Sequence, residues 1–147
     1  MNSTEVSFYL LDRAINQGKL ILACRLANKA YRLGHSVYIH APNDEISAIL
    51  NKLLWTFNQS SFVPHGHLTE LDSGNSNFPV VIGEQQPPES WNNVLISLLD
   101  DVPQYYSSFK KVIESVDCDE QDKARARKRF KVYRRQGHQP STHHLSL

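Results

Sequence analysis

At 147 residues the chain has the length of one domain and can bury a sizeable core, and its 40% hydrophobic and 21% charged side chains are ordinary for a globular protein. A formal net charge of +1 argues against a surface that binds nucleic acid all over. No stretch approaches the roughly 18 apolar residues of a membrane span, and the N-terminus lacks the basic and apolar regions of a secretory signal. Cys24 and Cys118 form no CxxC pair and read as free thiols of a reducing cytoplasm.

In chain order, Val6–Leu11 is a short β-rich run and predicts a buried first strand. From about 17 to 33, Leu20, Ala23, Cys24, Ala27, Ala30 and Tyr31 recur at helical steps, with Gly34 placed to cap. Residues 36–41 predict a second strand, and Asn43 or Asp44 caps a helix to about Trp55 through Ile46, Ile49, Leu50, Leu53 and Leu54. Pro64 limits Ser61–His65 to a short or edge strand, and the turn-rich residues 68–78 predict a mobile loop. Pro79–Gly83 and Val94–Leu99 are compact strands. Tyr106, Phe109, Val112, Ile113 and Val116 carry a helical pattern to about Ser115, and a basic helix starts near Glu120. After Gly137 the periodicity is weak, which predicts a domain at 1–137 and a frayed, flexible tail at 138–147. Strand–helix alternation with tight connections predicts a single-domain α/β fold, its mostly parallel sheet flanked by helices.

The first strand–helix junction, Asp12–Lys19, has one glycine and neither GxGxxG nor GxxxxGK[ST], so the chain offers no nucleotide site, and no cofactor is expected. Among the histidines, His65 and His67 or His143 and His144 supply two ligands at most, so no metal is expected. Asp100 and Asp101 are adjacent on extended chain and point to opposite faces, which suits a strand-ending turn better than a catalytic pair. A small enzyme would need a site built from Asp12, Asp100 and Asp101.

Charge is distributed unevenly. Residues 1–118 carry eight basic and twelve acidic side chains, a balance of −4, whereas 119–147 carry eight and three, a balance of +5. All eight of those cations lie in Lys123–Arg135, with no acid among them. At 100° per residue Lys123, Arg127, Lys131 and Arg134 share an arc of about 80° with Phe130 at its edge. Ala126, Phe130 and Tyr133 dock the helix on the body. Such a stripe suits an acidic partner that also has an apolar group to bury. The alternative is direct binding of nucleic acid by charge alone. Trp55, Phe57 and Phe62 form a second candidate patch, as aromatics at the end of a helix and in a proline-interrupted segment.

These landmarks together carry a family resemblance: Phe8–Leu11, the Cys24…Ala30–Gly34 helix, Leu54-Trp55 followed by Ser61–His65, Val94–Leu98, Val116, and Ala126–Arg134 leading to Gly137. Over nearly its whole length the chain resembles the chi subunit of bacterial DNA polymerase III holoenzyme, an accessory subunit of the clamp-loader complex. The resemblance implies a non-catalytic adapter with a nucleotide-binding-like topology but no nucleotide site. It implies that the acidic, phenylalanine-ended C-terminal tail of single-stranded DNA-binding protein binds at Lys123, Arg127, Phe130, Lys131 and Arg134, with Val116 lining the site. It implies a psi subunit docking at Trp55 and Phe62, a monomer or a heterodimer with psi, contact with DNA only indirect or weak, and no membrane. Phe130 departs from the family's usual tyrosine by one hydroxyl, and nothing is carried over beyond Gly137.

Overall fold

Three short apolar runs set the frame: Val37–His40, Val80–Gly83 and Val94–Ser97 are buried at every position, as expected of parallel strands covered on both faces. In the computed structural model, which describes residues 4–56, 63–73 and 78–146 (the side chains of 71–73 excepted), the elements in chain order are β1 (Glu5–Leu11), α1 (Gly18–Arg32), β2 (Val37–His40), α2 (Asp44–Thr56), β3 (His65–His67), β4 (Val80–Gly83), β5 (Val94–Ser97), β6 (Lys111–Val116), α3 (Glu120–Arg135) and β7 (Ser141–Leu145). The strands form one seven-stranded sheet in the order β3-β4-β2-β5-β6-β1-β7, and every pairing is parallel. The fold is α/β, as expected.

Side chains alternate along each strand between two cores. Val37, Ile39, Val80, Ile82, Val94 and Ile96 meet Leu22, Leu26, Leu50 and Leu54 of α1 and α2 on one face. Val6, Phe8, Tyr38, Val81, Leu95, Val112 and Val116 meet Ala126 and Tyr133 of α3 on the other. At the junction of β1 and α1, Gly18 is a packing glycine: a Cβ there would stand 2.6 Å from Leu11 Cδ1, so the turn is filled by Leu11 and Ile15. Asn43 caps α2 by accepting from Ile46 N at 2.9 Å.

Three stretches differ from their sequence patterns. Residues 106–116 are a single 3₁₀ turn (Tyr106–Ser108) followed by strand β6 rather than a helix. β6 lies inside the sheet between β5 and β1, and a strand apolar on both faces has no period that separates it from a buried helix. Residues Leu68–Ser73 form a 3₁₀ helix where a loop is expected, with Glu70 Oε1 accepting from His67 N at 2.9 Å. Beyond Gly137 the predicted frayed tail is instead edge strand β7, in register with β1 from Ser7↔Ser141 to Leu11↔Leu145. Its regularity comes from this pairing and from polar anchors that hydrophobic periodicity does not register: Ser141 Oγ donates to Ser7 Oγ at 2.9 Å, and His143 stacks on Tyr9 at 4.6 Å.

Helix α3 is fixed at its middle and at both ends. Glu114, fully buried on β6, accepts from Arg129 Nε at 3.0 Å and from the Tyr133 hydroxyl at 2.7 Å. Arg129 Nη1 also donates to the Asp100 carbonyl at 3.2 Å. Burial pushes the Glu114 carboxyl up, and the Arg129 guanidinium and the Tyr133 hydroxyl pull it back. At the N-terminus Asp119 Oδ2 caps Asp122 N at 3.1 Å. Asp122, itself 5% exposed, receives Asp117 N at 2.8 Å, Lys19 Nζ at 3.1 Å and Arg125 Nη2 at 3.3 Å. At the C-terminus Gly137, at φ 95°, turns the chain back, and His138 N reaches the Tyr133 carbonyl at 3.1 Å.

Breaking the central pair leaves a buried charge without its partner, so Arg129→Ala lowers the unfolding free energy by about 3–5 kcal/mol. A urea titration reads this as a lower midpoint with an unchanged slope. Replacing Glu114, Arg129 and Tyr133 together by Leu, Leu and Phe recovers most of the loss. Burial works against Asp122's charge, but the Asp117 amide and Lys19 outweigh it and hold the carboxyl below its usual 3.8. A depressed carboxyl stabilises the fold above its unfolded value and stops doing so as pH falls through the folded value. Asp122→Asn therefore costs about 1–3 kcal/mol at neutral pH, and the gap between variant and parent closes as pH drops below about 4, measured by urea titrations across pH.

Candidate interaction groove

With α3 lying over β6 and β1, its flank facing β7 overhangs the outer part of the sheet. A groove of about 360 Å³ opens there, lined by Phe8, Leu10, Lys123, Ala126, Arg127, Phe130, Lys131, Arg134 and Thr142. Its floor is apolar. Phe8 and Leu10 share one face of β1, Ala126 and Phe130 come from α3, and Phe130 leans on Phe8 with ring centroids 5.4 Å apart at 53°. Phe8 is further clamped edge-on by Tyr133 at 5.9 Å and 79°. Arg127, Lys131 and Arg134 are exposed, whereas Lys123 and Phe130 are half-buried.

Few acids neutralise this rim. Glu120 stands 3.8 Å from Lys123 and 3.9 Å from Arg127, but its side chain is 82% exposed. Exposed pairs of this kind contribute at most about 1 kcal/mol and exchange readily for an incoming carboxylate. Among the described residues, Lys131 and Arg134 have no ion-pair partner. The groove thus joins an apolar floor to a row of available cations.

Five of the six predicted groove residues, Lys123, Arg127, Phe130, Lys131 and Arg134, meet here. Val116 does not line it: 0% exposed, it packs in the core beneath α3, and Leu10 takes the lining position. Sequence reasoning missed Phe8, Leu10, Ala126 and Thr142 as lining residues, Ala126 being expected only to dock the helix on the body. Period-two alternation in β1 could have paired Phe8 with Leu10; Thr142 carries no signal, because its role depends on β7 joining the sheet.

Trp55 sits at the far side of the molecule, at the end of α2 and 53% exposed, its ring 4.9 Å from that of His65. Phe57 and Phe62 lie outside the described residues. α2 packs on the opposite face of the sheet from α3 and contacts β3 and β4, whereas the groove adjoins β7. Six strand spacings of about 4.8 Å separate β3 from β7, a distance of roughly 29 Å.

The other candidate histidines and aspartates have neighbours within the fold. His65 bonds the Val63 carbonyl at 2.7 Å and Asn51 Oδ1 at 2.9 Å, and His67 Nε2 bonds Glu84 at 2.8 Å. No group of three or more His, Cys, Asp or Glu among the described residues is placed to hold a metal. Asp100 pairs with Arg125 Nε at 3.6 Å, and Asp12 lies 3.9 Å from His144 Nδ1. Both cysteines are free; Cys24 is buried and its thiol is pushed up to about 12 by burial, whereas Cys118 is only partly buried. No helix among the described residues is long and apolar enough to cross a membrane.

Residues 3–141 match the family model described as the DNA polymerase III chi subunit, HolC. The chain is 35% identical over 142 residues to the DNA polymerase III subunit chi of Pseudomonas aeruginosa, covering 97% of each chain. It is 32% identical over 133 residues to the subunit chi of Escherichia coli, covering 87% of this chain and 89% of that one. With the subunit chi of Haemophilus influenzae the identity is 28% over 146 residues, with 94% and 95% covered.

Proposed function

The chain belongs to the DNA polymerase III chi subunit family, and on that premise we propose that it is a non-catalytic adapter in DNA replication, working in the cytoplasm. Its groove takes the acidic, phenylalanine-ended C-terminal tail of single-stranded DNA-binding protein. A second surface, at Trp55 and Phe62, joins the psi subunit and through it the clamp loader.

The carrying observation is the union of an apolar floor (Phe8, Leu10, Ala126 and Phe130) with the cationic row Lys123, Arg127, Lys131 and Arg134 in one groove. A phosphate backbone needs only the cations; a phenylalanine-ended acidic tail needs both parts. Size agrees: a cavity of roughly 150 Å³ already takes a benzene ring, so about 360 Å³ accommodates a phenyl ring with its α-carboxylate and a neighbouring residue. Burying that ring contributes on the order of 1.5–3 kcal/mol, and each charge-assisted hydrogen bond adds about 1.5–3 kcal/mol. The groove and the helix that carries Trp55 lie on opposite faces of the sheet, which supports two separate docking surfaces.

An acidic peptide ending in Phe, titrated by fluorescence anisotropy, binds the parent protein, and loses about tenfold or more in affinity when its terminal Phe is deleted or when Phe130→Ala is introduced. Arg127→Ala weakens it roughly three- to tenfold. Equal binding of the shortened peptide would sink the pocket idea and leave charge-driven nucleic-acid binding as the better account. In pull-downs Trp55→Ala loses the clamp-loader side while keeping single-stranded DNA-binding protein.

A further inference from the structure

Strand β7 borders the groove through Thr142 and is also the outer edge of the sheet. It pairs with β1 on one side, and among the described residues no strand pairs with its other side. Sheet edges are ordinarily blunted by charged side chains, proline, shortness or a covering element, because a row of unpaired N–H and C=O groups is a template for another chain. The opposite edge follows that rule: β3 is three residues long and packs against the Leu68–Ser73 3₁₀ helix. β7 does not. It runs five residues, contains no Lys, Arg, Asp, Glu or Pro, and is exposed from Ser141 to His144.

This edge is also held in place. Ser141 is tied to Ser7, His143 is stacked on Tyr9, and Asp12 N donates to the Leu145 carbonyl at 2.9 Å. A preorganised edge recruits a strand at low entropic cost. Thr142 lies opposite Phe8 in the register, so the edge borders the groove directly. The dimensions are comparable as well: from Lys123 to Arg134 the cationic row climbs eleven steps of about 1.5 Å, roughly 16 Å, and the four steps of about 3.3 Å from Ser141 to Leu145 span roughly 13 Å.

We infer that the acidic tail adds to β7 as an eighth strand upstream of its terminal Phe, with alternate acidic side chains turned toward the cationic row. This deepens the tail-binding assignment and rests on it. Backbone pairing sets the register of the tail, the cations select its acidic residues, and the apolar floor takes its end.

The test uses the full-length chain and three acidic Phe-ended peptides: unmodified, N-methylated on one alternate set of amides upstream of the Phe, and N-methylated on the other set. Charge and the terminal ring are the same in all three. The inference expects one methylated set to bind about tenfold or more weakly per paired amide and the other to bind like the parent. It also expects hydrogen exchange to slow at those β7 amides that face away from β1. If both methylated peptides bind like the parent while deletion of the terminal Phe still weakens binding, strand addition is wrong and the groove assignment stands. If the unmodified peptide does not bind at all, both fall. Peptide-free dimerisation in sedimentation, with the same β7 amides protected, assigns the edge to a second copy of the chain and overturns the inference.

Discussion

The architecture of the groove depends on one buried carboxylate. Glu114 sits inside the sheet with no exposure to water, and it is tolerated there because Arg129 and Tyr133 reach down from α3 to its two oxygens. Apolar contacts alone would let a helix slide or roll on a sheet at little cost, because they are not directional. A guanidinium and a phenol converging on one carboxylate admit a single rotation of the helix. That rotation points Ala126 and Tyr133 inward, brings Phe130 onto Phe8, and leaves Lys123, Arg127, Lys131 and Arg134 along the flank that overhangs β7. The exposed cations of the groove rim are thus aimed by a cation that is itself buried.

Placement of β1 completes the arrangement. It lies between β6, which carries α3, and β7, which lies beyond it. Phe8 and Leu10 therefore form a floor shared by a helix wall on one side and a strand wall on the other. The Gly137 turn makes this possible by sending the chain directly from the end of α3 back to the sheet. Chain that contributes nothing by composition becomes a wall by connectivity.

Much of this was legible in the sequence. Helical periodicity located α1 and α2 within a residue or two, Asn43 or Asp44 marked the start of α2 (the structure caps it with Asn43), and the run of cations without a compensating acid singled out α3 and five groove residues. The losses have physical causes. β6 lies inside the sheet, so Val112, Ile113 and Val116 are apolar on both faces and mimic the spacing of a buried helix. Val116 belongs to that strand and faces the core, which is why it does not reach the groove. The Glu114–Arg129 pair is hidden among like residues, since Arg129 looks like one more cation of the basic run. Its position within about 60° of Ala126 and Tyr133 on the helical wheel was the available clue. β7 left no pattern, because a polar edge strand derives its order from a neighbour 134 residues away in sequence, as the Ser141–Ser7 bond illustrates.

The unopposed row on α3 has a further consequence for how the molecule responds to its ionic surroundings. Lys123–Arg127, Arg127–Lys131 and Lys131–Arg134 are like-charge neighbours at three- and four-residue steps, each costing about 0.2–0.5 kcal/mol in helix stability. Mobile ions screen such repulsion over a Debye length of about 8 Å at physiological strength, so added salt relaxes the free protein. The same ions compete with any anionic partner for the row. Salt thus acts on this helix with opposite signs, steadying it when empty and weakening its attraction for any anion, and the repulsion stored in the free state is relieved by whatever negative charge settles on the row.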